Sequence, residues 1–340
     1  MSSMGKKTKV TILIPTYNGS KTIMDTLQSI LSQNYRDYEI LIHDDASGDD
    51  TLRIIRALKN RKIKIYRNKK NVGCQKNMEM ARKKIRHGIV FFMAQDDILA
   101  KNALMKTIRA FKKGKDIGFV TRPYYWFDDD IHKPVRATSE VNPNQDEIIS
   151  IRSDYRKIEK VIESIGQISG LAYVAEYADI PIHMDIFTGH AYLFAGILKQ
   201  KKVVFLKDHT VAVRIRSSQS RSLPGIYEKS PLQSWVDFFN SVFFGKKFVG
   251  FRSYFITNYC AKNYLGLLQI RNYSEYQYVL REILLLIKYR WKNIYNPSFL
   301  VISGLCLLTP RAILIPFVDW FKKTIHARFV RKISFDFSLE

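Results

Sequence analysis

The stretch "VTILIPTYNGSKTIMDTLQSILSQNYRDYEILIHDDASGDDT", Val10 to Thr51, sets a helical pattern between two buried-strand patterns. In "KVTILIP" (Lys9 to Pro15) the apolar residues run almost without polar interruption, as in a strand covered on both faces. "SKTIMDTLQSILSQ" then places Ile23, Leu27, Ile30 and Leu31 on one helical face, with Ser20 positioned as an N-cap. "YEILIHDD" (Tyr38 to Asp45) is a second strand, and Asp49 or Asp50 can cap a helix carrying Leu52, Ile55 and Leu58. Strand, helix and strand in this order form a right-handed crossover between parallel strands.

The alternation continues outward. "KIKIYR" (Lys62 to Arg67) is a third strand, a helix from about Gln75 to Ile85 leads to a fourth, "GIVFFMA", and a helix with Leu104, Ile108 and Phe111 leads to a fifth, "IGFVT". This predicts an α/β fold with a mostly parallel sheet flanked by helices. Arg122 to Gly166 has little periodicity. "KVVFLKDHTVAVRI" (Lys202 to Ile215) is expected to extend the sheet. Beyond Pro231 the chain turns helical, aromatic and basic, which predicts a main domain over 1–225 and a helical C-terminal region over 226–340.

At 340 residues with 46% apolar and 13% aromatic side chains, the chain can bury a large core and lies outside the composition of disordered proteins. Cys74, Cys260 and Cys306 are far apart and lack metal-ligand spacing, so a reducing compartment is expected rather than a disulfide framework. Val10 to Pro15 is too short for the apolar core of a signal peptide, and a cytoplasmic protein is expected. The net charge of +24 suits nucleic acid, anionic lipid or phosphorylated ligands, and does not choose among them.

"PSFLVISGLCLLTPRAILIPFVDW" (Pro297 to Trp320) has the length of a membrane span, but Pro310 and Arg311 interrupt it. Two shorter helices lying on an anionic membrane surface fit better, flanked by "IKYRWKNIY" and "WFKKTIHARFVRK". A helical subdomain packed on the core fits equally well.

Ligands of an open parallel sheet bind beyond the carboxyl ends of its strands. Three such ends carry Pro15, Thr16 and Tyr17, then Asp44 and Asp45, then Gln95, Asp96 and Asp97. Alone, Asp45 to Asp49 reads as turn chemistry with a helix cap, and Asp96-Asp97 as a solvated loop. Together, the carboxylates of Asp44, Asp45, Asp96 and Asp97 repel one another unless a cation compensates. No glycine-rich phosphate cradle follows the first strand. Mg²⁺ or Mn²⁺ shared with the phosphates of a nucleoside diphosphate suits such a cluster, with Tyr17 stacked on the base.

The succession "VTILIPTYNGSKTIMDTLQSILSQNYRDYEILIHDDASGDDT", "NKKNVGCQKNMEMAR" and "GIVFFMAQDDI" resembles family 2 glycosyltransferases of the GT-A fold, over roughly Lys9 to Phe111. "SGLAYVAEYADIPIHMDIFTGHAYLFA" and "VAVRIRSSQSRS" resemble the acceptor half of bacterial polysaccharide-building and O-antigen-type members. The resemblance makes 1–115 the nucleotide-sugar-binding half and 116–225 the acceptor half.

It implies that Pro15, Thr16 and Tyr17 line the nucleotide pocket. Asp45 would contact the base, Asp44 would support the loop, and Asn71, Gly73, Asn77 and Gln95 would lie along the nucleotide sugar. In the family's D-x-D signature the first position here is Ala94, so Asp96, followed by Asp97, would carry the metal. The reaction implied is inverting transfer of a sugar to an acceptor hydroxyl, with a carboxylate taking its proton. Asp185 is the base expected, with Glu176 and Asp179 as rivals. Glu176, His190, Arg214, Arg216 and Arg221 are candidates for acceptor or diphosphate contacts. The expected partners are a nucleotide-sugar donor, a lipid-linked saccharide acceptor and an anionic membrane surface. Two alternatives stay open here. One is a nucleotidyltransferase, and the other is a nucleic-acid-binding protein suggested by "KNRKIKIYRNKK" and "ARKKIR".

Overall fold

A computed structural model describes residues 9–215, 225–321 and 333–337. These form two compact units. The first comprises residues 9–184, 189–215 and 333–337, and the second Asp185–Thr188 and 225–321.

In the first unit the strands are β1 (Val10–Thr16), β2 (Tyr38–Asp44), β3 (Ile63–Arg67), β4 (Ile89–Phe92), β5 (Ile98–Leu99), β6 (Ile117–Thr121), β7 (Tyr125–Phe127), β8 (Pro134–Ala137), β9 (Glu147–Ile149), β10 (Ala172–Val174), β11 (Lys202–Phe205) and β12 (Val211–Arg214). The helices are α1 (Ile23–Leu31), α2 (Thr51–Ala57), α3 (Cys74–Arg82), α4 (Ala103–Phe111), α5 (Tyr155–Ser164) and α6 (Ala191–Leu198). The main sheet runs β3-β2-β1-β4-β10-β6-β11-β9, and a second sheet runs β5-β12-β7-β8. Strands β3, β2, β1 and β4 are mutually parallel, as the βαβ reading predicts.

The alternation of β1 explains its double coverage. Val10, Ile12 and Ile14 join Ile23, Leu27 and Ile30 of α1 and Leu104 of α4 in one core, while Phe92 and Phe119 meet Phe194 of α6 edge-on in another layer. All of these are buried. Register sets the edge that matters: Thr16 pairs with Asp44, so β1 and β2 end level. Leu13 pairs with Phe92, so the chain after β4 reaches that same edge.

Four details depart from the sequence reading. β10 enters the sheet antiparallel, between β4 and β6. "KVVFLKDHTVAVRI" divides: β11 extends the main sheet beside β6, whereas β12 joins the second sheet beside β7. Polar residues at the junction turn the chain, with Lys207 N donating to Asp146 and Asp208 paired with Lys106. Ser20 does not cap α1; its N–H donates to Asp49 Oδ2 at 3.0 Å. Residues 333–337 pack in the first unit, where Phe335 meets Tyr125 edge-on at 5.1 Å.

The second unit is helical: α7 (Pro231–Val242), α8 (Val249–Tyr254), which continues as a π-turn over Phe255–Tyr259, α9 (Gly266–Tyr273), α10 (Tyr276–Tyr289), α11 (Pro297–Leu308) and α12 (Arg311–Phe321). Phe238, Phe239, Phe243, Phe251 and Phe255, in ring contact at 4.5–5.1 Å, make its core. Ser230 caps α7, and the buried Glu282 of α10 accepts from Leu232 N and Ser230 Oγ at the same helix end. The chain breaks between α11 and α12 at Thr309 and Pro310. Among the described residues no helix is long and apolar enough to cross a membrane.

Candidate functional site

The carboxyl ends of β1, β2 and β4 are tied into one structure by side chains. Gln95 grips the first loop, its Oε1 accepting from Tyr17 N at 2.9 Å and its Nε2 donating to Tyr17 O at 2.9 Å. Asn18 has φ +46°, a left-handed conformation that asparagine tolerates. Its N–H donates to Ser47 Oγ and its Oδ1 accepts from Gly48 N, so it bridges to the loop after β2. A Cβ on Gly19 would stand 2.4 Å from Gln95 Oε1, so a larger residue there would push the Gln95 amide out of its clasp on Tyr17. Tyr17 itself projects, 46% exposed, as a ring available for stacking.

After β2 the two aspartates have different tasks. Asp44 is buried, accepts from Ser47 N and Ser47 Oγ, and lies 3.4 Å from Arg67 Nε. It therefore holds its own turn. Asp45, also buried, reaches across to the loop before α3. Its Oδ1 accepts from Asn68 Nδ2 at 2.8 Å and Val72 N at 2.9 Å, and its Oδ2 accepts from Gly73 N at 2.9 Å. Asn71 Oδ1 accepts from the same Gly73 N–H, and Gly73, at φ +88°, needs its missing side chain. Asn77 is buried beneath this loop, with Oδ1 accepting from Asn68 and Nδ2 donating to His43 O. Burial of Asp49 works to raise its pKa, but hydrogen bonds from Thr51 and Ser20 outweigh it and hold the carboxyl at about 2.

After β4 the paired carboxylates diverge. Asp97 is 1% exposed, and its Oδ2 accepts from Ser169 Oγ at 2.6 Å and Gln167 Nε2 at 3.0 Å, while its Oδ1 accepts from Arg214 N at 3.0 Å. Burial, reinforced by the neighbouring Asp96 carboxylate, pushes its pKa well up. Arg214 also donates to Asp96 O, pairs with Asp25 at 2.8 Å and lies over the Phe127 ring. Asp96 is partly exposed at the edge. A half-buried carboxylate at this edge is a fitting donor for Mg²⁺, which takes one or two protein carboxylates and completes its shell with water and substrate phosphates. Among the described residues no group of three or more His, Cys, Asp or Glu forms a self-sufficient metal cage.

Thus Pro15, Thr16, Tyr17, Asp44, Asp45, Asn71, Gly73, Gln95 and Asp96 converge on one edge, with Asn77 and Asp97 buried behind them. Glu176 does not join them. Because β10 runs antiparallel to β4, Glu176 emerges at the start of β4, where it meets Gly88 N and His87 at 3.3 Å. Glu176 therefore stands apart from the candidate site. The His190 ring donates from Nε2 to Ile165 O at 2.7 Å, and burial lowers its pKa to about 4. Asp185 belongs to the second unit. There its Oδ1 accepts from Phe187 N, Thr188 N and Thr188 Oγ1, and its Oδ2 accepts from Ser234 Oγ and pairs with Lys229 at 2.7 Å. Arg216 and Arg221 lie outside the described residues. Sequence reasoning missed Ser47, Thr51, Asn68, Gln167 and Ser169. Asn68, within "RNKKN", is the one whose place before a helix could have drawn notice.

A family model described as "Glycosyl transferase family 2" matches residues 11–167. An uncharacterized glycosyltransferase of Rickettsia felis is 32% identical over 218 residues, which are 63% of this chain and 31% of that protein. The Escherichia coli protein described as "UDP-Glc:alpha-D-GlcNAc-diphosphoundecaprenol beta-1,3-glucosyltransferase WfaP" is 33% identical over 116 residues, covering 34% of this chain and 46% of that protein. The chain spans less than half the length of either relative. Staphylococcus aureus TarS 1–349, solved in complex with UDP, superposes with a TM-score of 0.61 at 14% identity, covering 95% of this chain and 89% of that one. At that identity the likeness concerns the fold, a mixed α/β sheet flanked by helices with a helical C-terminal region.

Proposed function

We propose, on the premise that the chain belongs to glycosyltransferase family 2 through residues 11–167, that it moves a sugar from a nucleotide-sugar donor to a hydroxyl of a saccharide acceptor, with inversion. The observation that carries this reading is the edge where Tyr17, the Asp45-anchored loop and Asp96 meet. It offers a ring for a base, ordered backbone for a ribose and a carboxylate for a metal diphosphate. The relatives named above with a stated activity are glycosyltransferases, so the nucleotidyltransferase and nucleic-acid-binding alternatives are not carried further.

In this reading the exposed Tyr17 ring stacks on the base, and Asp45 keeps the loop of Asn71 and Gly73 in place against the nucleotide. Asp96 would hold Mg²⁺ or Mn²⁺ with the donor's diphosphate, and such a cation supplies neutralisation of the charge the leaving group gains. Asp97 acts as a positioning residue, fixing through Arg214 the backbone that presents Asp96. The acceptor oxygen attacks the anomeric carbon from the face opposite the diphosphate. A carbon–oxygen bond forms, the bond to the diphosphate breaks, and the hydroxyl proton passes to a carboxylate. We assign that role to Asp185, whose carboxyl stays below its usual range: burial acts to raise it, but Lys229, Thr188 and Ser234 outweigh that effect.

The acceptor we propose is lipid-linked, within cell-surface polysaccharide or O-antigen synthesis at the inner face of the cell membrane. The acceptor named for the E. coli relative supports this. A thermal-shift screen of nucleoside diphosphates and nucleotide sugars, with and without Mn²⁺, tests the donor half. No stabilisation by any of them would sink the reading. Undiminished sugar transfer by Asp96→Ala would remove the metal role.

A further inference from the structure

We propose that α11 and the aromatic turn before it form a docking face for bilayers bearing anionic headgroups. The inference rests on the lipid-linked acceptor reading for its purpose, and on the following geometry for its content. Over its twelve residues, "PSFLVISGLCLL", α11 carries no charged side chain. Phe299, Ser303 and Cys306 are buried in the unit's interior, with Ile302, Gly304 and Leu307 half-buried beside them. Leu300, Val301, Leu305 and Leu308 turn outward, Val301 at 60% and Leu308 at 85% exposure. A helix apolar on all sides is normally buried on all sides. At 1.5 Å per residue α11 is about 18 Å long, too short for a hydrocarbon core of about 30 Å. It suits a helix lying in the interface plane.

The flanks identify the occupant. Residues 291–295 lead into α11 and expose Trp291 and Tyr295, with Lys292 Nζ 6.0 Å from the Trp291 ring. At the other end Tyr276, exposed at the start of α10, reaches Leu307 O with its hydroxyl at 3.4 Å and lies under the Arg271 guanidinium. Aromatic rings and cations bracketing an apolar helix match the headgroup layer on either side of an acyl boundary. A second copy is disfavoured by charge. A two-fold contact through this face would set Lys292 and its neighbours against themselves on a chain of net charge +24, which an anionic surface instead complements.

Co-sedimentation of the full chain with phosphatidylglycerol–phosphatidylcholine vesicles, and with phosphatidylcholine alone, tests the proposal. We expect binding to the anionic vesicles that weakens with salt, and a fall of about tenfold or more for Val301→Asp or Leu308→Asp. Leu308 is almost free of the core, so its variant should melt as the wild type does, and that melt is the control for folding. Wild-type binding by both variants would overturn the proposal. So would indifference of the wild type to vesicles, or a concentration-dependent dimer that Val301→Asp dissociates without any vesicle binding. Nucleoside diphosphate stabilisation measured on the same samples separates the two readings. A nucleotide response without vesicle binding defeats only the docking face, and vesicle binding without a nucleotide response defeats only the transferase.

Discussion

Gln95 clasps both backbone groups of Tyr17, accepting from its N–H and donating to its C=O, each at 2.9 Å. The clasp spans the gap between β1 and β4, and Thr22 Oγ1 donates back to Gln95 O at 3.2 Å. A residue in the middle of the metal signature therefore shapes the ring that would hold the base. Gln95→Glu keeps the acceptor and replaces the donor with an oxygen facing the Tyr17 carbonyl. We expect a stability loss of about 1–2 kcal/mol in urea unfolding, and a larger proportional rise in donor KM than fall in kcat. Equal donor KM in the variant and the wild type would mean that the clasp does not order the loop for binding.

Asp45 is the anchor of the loop before α3, with three donors on one buried carboxylate. Asp45→Ala strands Val72 N and one N–H of the Asn68 amide, which keeps only its bond to Asn77 Oδ1, and leaves Gly73 N on Asn71 Oδ1 alone, at about 1–3 kcal/mol for each stranded group that water does not reach. Asp45→Asn retains one acceptor but turns an NH₂ toward a donor. The expected order of nucleoside diphosphate affinity by calorimetry is wild type, Asn, Ala, with hydrogen exchange at Val72 and Gly73 rising in the same order. Unchanged exchange at those two amides would remove the anchoring role.

How far the sequence discloses this site depends on where the partners lie. The strand ends are legible because buried runs stop at polar residues, so Thr16, Asp44 and Asp96 mark one edge in the sequence itself. The division of labour between Asp96 and Asp97 is not legible. It depends on Ser169, 72 positions away in the chain, and on Arg214, 117 positions away, arriving at the Asp97 carboxylate. Glu176 misleads for a similar reason: the direction of β10 decides which edge it reaches, and a three-residue strand carries no signal of direction. Strands β7 and β9, of three residues each, are too short to show alternation, which is why Arg122 to Gly166 reads as irregular. The return of Phe335 and Phe337 to the first unit had no periodic signal either.

His190 gives the fold a pH dependence. Burial pushes its imidazole down to about 4, against the opposing pull of the Ile165 carbonyl. The unfolded chain binds the proton near pH 6.5, before the folded one does, so this residue's contribution is whole above that value and is lost as pH falls toward 4. The loss should be on the order of 1–3 kcal/mol across that window. His190→Gln keeps a donor for Ile165 O and does not titrate, so its stability should fall less between pH 6.5 and 4 than the wild type's. Parallel pH profiles of the two proteins in urea unfolding would show that His190 is not held neutral.

Asp185 carries the sharpest conflict between a catalytic and a structural role, and kinetics can separate them. Its Oδ1 closes the turn through Thr188, and its Oδ2 binds Ser234 and Lys229, so the carboxylate is both ionised and heavily bonded. Ionisation is what a proton acceptor needs. The bonding to its own turn is what a structural keystone needs. Asp185→Asn preserves the acceptor toward Phe187 and Thr188 but meets Lys229 with an uncharged group. If Asp185 is the base, sugar transfer should drop by about 10²–10⁴-fold with nucleotide affinity unchanged and Tm shifted little. If instead the melting point falls and transfer declines only in step with the folded fraction, the base lies elsewhere. Lys229→Met completes the comparison: it removes the cation from Oδ2 without touching the carboxyl group. That change should raise the pH at which the acidic limb of kcat/KM falls, provided that limb reports Asp185. An acidic limb that stays in place while Asp185→Asn abolishes transfer would assign the limb to another group.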